Sequence, residues 1–433
     1  MADDFDVIVV GAGMAGSVAA IRLAQGGANV LLAERGAEPG VKNLSGGLLW
    51  GNDLARILPN WWREMPVERH LVRKRFGFLT SDSALSFDLE ETSWKKEPYA
   101  AHTVLRARTD SFLAKKAEEA GATVVPAVPV DRLNWEGSRV HGIVQGGEKM
   151  TAPVTIVADG TNSRLTLGTP IHPSPHLSPE STELGIKEVF RLDPSTLEDR
   201  FQVASGEAHT EEWVGGLFPP GVMGGGFLYT NRDTVSLGII VQIGSLYGGA
   251  ARAHDLIERY KLHPAIARRV RGAELVEYGA KLVPGGWASR PTAFHGDGWL
   301  VAGDAAGFVF SNGIMIQGMN YAIRSGLEAA ETALASKAAS DASAQKLSEY
   351  DRRLESTGIL PDFRDFARLD RVKWNPRIYS LYPKFATELL RSMMGEAGSP
   401  KRSARKVLRA VQKATGVPTM TLLRDGIEVA LDL

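Results

Sequence analysis

The sequence predicts an α/β protein, and three of its features carry that prediction. Short apolar runs such as "DVIVV" (Asp6 to Val10) and "NVLLAE" (Asn29 to Glu34) stop at glycine or acid and are separated by helix-forming stretches, as parallel strands joined by helices do. A glycine-rich turn, "GAGMAG", follows the first run at once. Further along, "FGFLTSDSALSFDLE" and "GFLYTNRDTVSLGIIVQI" alternate in the manner of antiparallel strands, the second around a turn at Asn231-Arg232-Asp233.

A length of 433 residues leaves room for roughly two or three domains. Fifty basic and fifty acidic residues balance, so no global charge argues for a nucleic-acid partner. The opening "MADDFDVIVV" is acidic and enters a strand directly, unlike a secretory leader, so a cytoplasmic chain is expected. No run of about 18 apolar residues occurs, so a spanning helix is not expected, while peripheral membrane contact stays open. The chain contains no cysteine. That excludes disulfides, thiolate nucleophiles and cysteine-held iron-sulfur clusters, so any electron chemistry must use an organic cofactor.

The first strand, Gly11-x-Gly13-x-x-Gly16 and the helical "SVAAIRLAQ" form a Rossmann-like dinucleotide signature. Gly11 serves the tight turn, Gly13 the approach of a pyrophosphate and Gly16 close helix packing, with Met14 and Ala15 at the helix start. The second strand ends in Glu34, followed by Arg35. An acid at 34 suits a ribose hydroxyl and argues against NADP, leaving FAD and NAD open. In "VLRARTDSFLAKKAEEAGATVV", Arg106 closes a strand and can hold phosphate or ribose, with Asp110 able to cap the next helix. "VTIVADGTNSRL" ends its strand at Asp159-Gly160, and "WLVAGDAAGFVFSNGIMIQGMNYAIRSG" ends one at Gly303-Asp304. Strands that stop on one edge in this way fit a ligand outside the carboxyl ends of a parallel sheet.

These motifs, in this order, resemble the FAD-dependent family of aromatic hydroxylases, geranylgeranyl reductases and electron transfer flavoprotein:quinone oxidoreductases. Within it the chain is most similar to the FixC branch, on "KNLSGG", "LGIKEVFRL", "EDRF", "GGGFLYTNRDTVSLGI" and "HPAIARRVRGAELVEYGAKLVP". The resemblance implies FAD rather than NAD, with Ser45, Gly46 and Gly47 also at the cofactor. Asp304 would then accept from ribityl hydroxyls, and Gly318 and Met319 would direct a helix N-terminus at the flavin. No catalytic side chain and no metal ligand is implied, because the flavin carries the chemistry.

The implied activity is electron transfer from an electron transfer flavoprotein to membrane quinone, in a complex that can bifurcate electrons and, by the name of the branch, serve nitrogen fixation. The missing cysteines then require a separate ferredoxin-like iron-sulfur subunit, and the chain would be peripheral on the inner face of the cell membrane. The rival readings are a geranylgeranyl reductase or aromatic hydroxylase, for which "QGMN" (Gln317 to Asn320) speaks, and a non-catalytic flavin-binding scaffold.

The expected division is a discontinuous FAD-binding domain (1–75, 100–168 and 288–340), a substrate or quinone domain of antiparallel strands (76–99 and 169–287) and a helical C-terminal region (341–433). The apolar Phe308, Val309, Phe310, Ile314, Met315 and Ile316 read either as core or as a wall for a quinone tail. Lys401, Arg402, Arg405, Lys406, Arg409 and Lys413 lie in a stretch without acids, either a solvated face or a docking face for an acidic subunit or anionic lipid.

Overall fold

A computed structural model describes residues 3–43, 47–247, 251–313, 315–394, 402–415 and 417–432. The strands that shape the site are, in chain order, β1 (Val7–Val10), β2 (Val30–Ala33), β3 (Val67–Leu79), β4 (Ala84–Glu90), β5 (Val154–Val157) and β6 (Thr182–Arg191). They continue with β7 (Glu207–Gly215), β8 (Gly224–Thr230), β9 (Thr234–Gln242), β10 (Glu274–Pro284) and β11 (Trp299–Val301). The main helices are α1 (Met14–Gln25), α2 (Arg106–Glu119), α3 (Pro194–Phe201), α4 (Pro264–Val270) and α5 (Met319–Ala339), then α6 (Leu381–Met394), α7 (Ala404–Thr415) and α8 (Thr419–Asp432).

Two sheets organise the chain. In the six-stranded sheet, β1 pairs in parallel with β2 on one side and β5 on the other, and β11 follows β5. The chain therefore winds outward in both directions from β1, which opens a crevice at the carboxyl end of that strand. Every residue of β1, β2, β5 and β11 is buried, because helices or packed loops cover both faces. α1 and α5 pack together beside this sheet, and Arg22 of α1 reaches Glu331 of α5 at 2.7 Å.

The nine-stranded sheet contains β6, β8, β9 and β10 in antiparallel register, with the 231–233 turn joining β8 to β9. One pairing departs from the antiparallel expectation: β7 and β3 run parallel, with Lys74 opposite Thr210 and Arg75 opposite Glu211. β4 then folds back on β3. The expected boundary at residue 75 falls inside β3, and the short strands Gly47–Leu49 and His102–Val104 also join this sheet. Hydrogen bonding thus ties residues assigned to the first unit into the second.

The C-terminal region is helical. α6 and α7 pack around Leu381 and Val407, with Leu422 of α8 against them. Among the described residues, no helix is long and apolar enough to cross a membrane.

Candidate functional site

The site begins where β1 ends. Gly11 has φ +101°, a left-handed conformation, and a Cβ there would lie 2.3 Å from the carbonyl oxygen of Ala158. A Cβ on Gly16 would lie 1.9 Å from the carbonyl oxygen of Gly11, so only glycine lets α1 approach the turn this closely. α1 starts at Met14 with Gly13 as its N-cap and no capping side chain. Its first N–H groups are therefore free for a ligand, and Gly13, Met14 and Ala15 line a cavity of about 630 Å³.

Glu34 and Arg35, just past β2, line the same cavity. Glu34 is held by two backbone donors, Ala12 N–H at 2.9 Å and Gly36 N–H at 2.6 Å, which aim its carboxylate across the glycine turn. Arg106 also lines the cavity, but its place in the chain differs from the expectation. The strand ends at Val104 and Leu105 caps α2, so Arg106 opens the helix and Asp110 lies one turn inside it. Four residues apart on one face, the two form a bidentate pair at 2.8 and 2.9 Å. Asp110 also accepts from Asn43, and Asn43 Oδ1 accepts from Lys281 Nζ at 2.6 Å.

Asp159, Gly160, Gly303 and Asp304 meet at the carboxyl ends of β5 and β11, and all four line the cavity. Asp159 Oδ2 accepts the Leu165 N–H at 3.1 Å, while Oδ1 is buried without a partner. Burial pushes this carboxyl up to about 6, against hydrogen bonds from the Leu165 loop and the charge of Arg35. Asp304 accepts from Thr161 Oγ1 at 3.2 Å. α5 then starts at Met319 behind Gly318, again without a capping side chain, and both residues line the cavity. Gly47 sits opposite, where a Cβ would lie 3.0 Å from Met319 Cε. Ser45 and Gly46 lie outside the described residues.

The apolar loop after Asp304 divides between its two readings. Phe308 and Phe310 are core: their rings lie 5.7 and 6.0 Å from Phe363, within a cluster that includes Tyr321 and Phe366. Val309, Met315 and Ile316 instead line the cavity. Ile314 lies outside the described residues.

Sequence reasoning assigned no role to the residues that close the cavity from the nine-stranded sheet. Leu184, Phe227, Ile240 and Leu282 supply apolar wall, and Lys74, Glu212, Tyr229 and Lys281 supply polar groups. Lys74 Nζ lies 2.8 Å from Glu212 Oε1. Burial raises the Glu212 carboxyl, with Lys74 opposing and the charge of Glu211 adding, and burial lowers the Lys281 ammonium. This end can hold or release a proton more readily than exposed groups would. Phe227, Tyr229 and Lys281 fall within stretches that mark the family resemblance, which was the available signal. Lys74 and Glu212 carry no motif and are found only through strand register.

Residues 6–163 match the family described as FAD dependent oxidoreductase, and residues 182–283 match that described as ETF-QO, ubiquinone-binding. The chain is 39% identical over 434 residues to the probable electron transfer flavoprotein-quinone oxidoreductase YdiS of Escherichia coli K12, covering 100% of both chains. It is 39% identical over 430 residues to protein FixC of Escherichia coli O157:H7, covering 98% of each. Among solved structures, a geranylgeranyl bacteriochlorophyll reductase-like protein of Thermoplasma acidophilum has a TM-score of 0.71 at 20% identity, over 97% of this chain and 99% of that one. At that identity the likeness concerns the fold.

Proposed function

This chain belongs to the FixC and electron transfer flavoprotein-quinone oxidoreductase family of FAD-dependent oxidoreductases, and from that premise we propose that it takes electrons from an electron transfer flavoprotein and delivers them to membrane quinone. The observation that carries this reading is a single cavity. It runs from the glycine turn of residues 6–163 to an apolar wall formed by β6, β8, β9 and β10 of residues 182–283. Cofactor and acceptor can then share one enclosed space.

The residues fit FAD. Gly11 and Gly16 make a turn that no side chain could enter, the uncapped start of α1 offers N–H groups to a pyrophosphate, and Asp159 Oδ1 is a buried acceptor awaiting a donor. Bound FAD supplies reversible two-electron transfer, which the side chains of a cysteine-free protein do not provide. In this reading Glu34 and Arg35 hold the ribose end, Arg106 stays rigid through Asp110, Asp304 accepts hydroxyls, and Gly318 and Met319 present the α5 N-terminus to the ring. Gly47, with Ser45 and Gly46 beside it in sequence, closes the opposite side. Val309, Met315 and Ile316 guide an apolar acceptor.

Residues 1–75, 100–168 and 288–340 would act as the FAD-binding unit, residues 76–99 and 169–287 as the quinone unit and residues 341–433 as a helical end. That end carries exposed Met393, Met394, Met420, Leu423 and Ile427 beside α7. Its basic Arg402, Arg405, Lys406, Arg409 and Lys413 make no ion pair among the described residues, while Lys401 lies outside them. Apolar tips flanked by cations suit peripheral contact with an anionic membrane, here the cytoplasmic face. Any iron-sulfur step would belong to a separate ferredoxin-like subunit in a bifurcating complex.

The test is reduction of the FAD-loaded chain by reduced electron transfer flavoprotein, followed as bleaching of flavin absorbance and coupled to reduction of a soluble quinone. NADPH alone should leave the spectrum unchanged. Rapid NADPH oxidation driven by a phenol or a prenyl lipid would overturn the reading in favour of a hydroxylase or reductase.

A further inference from the structure

A second cavity, of about 600 Å³, lies on the face of the nine-stranded sheet turned away from the first. The strand alternation explains the separation. Lys74 and Glu212 point into the first cavity, and their neighbours Arg73, Arg75, His209 and Glu211 face the second or the core beneath it. α3 contributes Thr196, Asp199 and Arg200; α4 contributes Arg268 and Arg269, and Arg271 follows it.

The charges here do not balance. Six guanidiniums line one concavity: Arg73, Arg75, Arg200, Arg268, Arg269 and Arg271. The carboxylates facing them are Glu211, Asp88 and Asp199. Asp88 is taken up by a bidentate pair with Arg75 at 2.6 and 2.7 Å. Buried Glu211 is saturated by His209 at 3.0 Å, Trp213 Nε1 at 3.0 Å, Arg75 at 3.3 Å and Arg269 at 2.8 Å. His209 adds no negative charge, since its Nδ1 accepts from Arg73 Nε at 2.9 Å and its other nitrogen donates to Glu211.

Among the described residues Asp199 makes no ion pair, and four of the arginines have no carboxylate partner. Among the described residues Arg73 donates only to the His209 ring and to the carbonyls of Phe201 and Gln202. Arg200 donates to the carbonyl of Arg269 at 2.9 Å. Arg268 and Arg271 make no ion pair among the described residues. The Nε of Arg269 is buried with no acceptor. Burial, then the charge of Arg271, lowers Arg200; burial also lowers Arg269, with Arg75 and Arg268 adding and the charges of Glu211 and Asp88 opposing.

We propose that this arginine-lined cavity binds a small phosphorylated ligand carrying at least two negative charges. Guanidinium forks match phosphate oxygens in pairs, and the volume falls in the range of small-molecule sites rather than of a protein interface. A ligand here would neutralise the surplus cations and tie α3 and α4 to β3 and β7. The flavin need not take part.

The experiment uses the full chain loaded with FAD, so that the first cavity is filled. Inorganic pyrophosphate at millimolar concentration should raise the unfolding temperature and bind in calorimetry, more weakly as salt rises. The double variant Arg268→Gln/Arg271→Gln, whose side chains are exposed and outside the Glu211 network, should keep its flavin spectrum and bind pyrophosphate roughly tenfold or more weakly. Parallel titrations with ADP, phosphatidylglycerol vesicles and polyglutamate identify the source of the anion. ADP or pyrophosphate binding that the double variant loses supports the proposal. No binding, binding unchanged in the variant, or preference for vesicles or polyglutamate would overturn it.

Discussion

The two sheets carry their charges in different places. β1, β2 and β5 of the parallel sheet bury no ionisable side chain, and the acids Glu34, Asp159 and Asp304 appear only past the carboxyl ends of strands. In the nine-stranded sheet the charges stand in mid-strand: His209, Glu211 and Glu212 on β7, and buried Glu183, Lys187 and Glu188 on β6. A strand covered on both faces by apolar packing leaves an ion unsolvated at heavy cost, so polar function moves to its ends. A sheet with a cavity on either side can keep ions along its length, provided each finds a partner across the strands.

Removing one partner from the mid-strand network is the most severe way to break this contrast. Burial alone would raise Glu211, but the His209 hydrogen bond and the charges of Arg269 and Arg75 outweigh it and hold the carboxyl below its ordinary value. Glu211→Gln should lower stability in urea by about 3–5 kcal/mol, since the half-buried Arg269 guanidinium loses its carboxylate while Arg75 keeps only Asp88. Glu212→Gln should cost only about 1 kcal/mol, because burial already disfavours its charged form. Equal losses in the two variants would show that the charge difference between the faces is not what stabilises β7.

The parallel sheet is sensitive to volume instead. Gly16→Ala places a methyl against the Gly11 carbonyl, which should destabilise the protein by about 1–3 kcal/mol and lower its flavin content, read from the ratio of flavin to protein absorbance. Full flavin loading at unchanged stability would show that α1 need not sit this close to the turn.

The strand-end acid is the mildest probe, through pH. The folded-state pKa of Asp159, about 6, lies above its ordinary 3.8, so the folded protein binds the extra proton. Its contribution is therefore fully present below about pH 4 and is lost as pH rises through about 6. Thermal unfolding of the flavin-free protein should weaken across that window, and Asp159→Asn should flatten the slope. A wild-type slope no steeper than that of the variant would show that Asp159 is not buried as drawn.

The contrast also explains what could be read without coordinates. Parallel strands, glycine turn and strand-end acids are local patterns, so Gly11, Gly13, Glu34, Asp159 and Asp304 were visible as motifs and do converge on one cavity, while Gly16 packs α1 against the turn. Asp110 was misplaced as a cap because helix starts depend on backbone geometry that a short motif leaves open. Lys74 and Glu212 stayed hidden because their pairing spans 138 positions and depends on two strands running parallel. The apolar loop could not be divided by composition, since Phe308 and Val309 are neighbours that face core and cavity respectively.

By itself the sequence determined the α/β class, the dinucleotide turn, the absence of thiol chemistry and, through resemblance, the family. These properties reside in short spans whose spacing sets their geometry. Only the tertiary structure decided which strand faces meet, that one cavity joins the glycine turn to the wall of the nine-stranded sheet, and that six arginines from separate elements share a second. Burial and counter-charge are properties of neighbours in space, and chain order does not specify them.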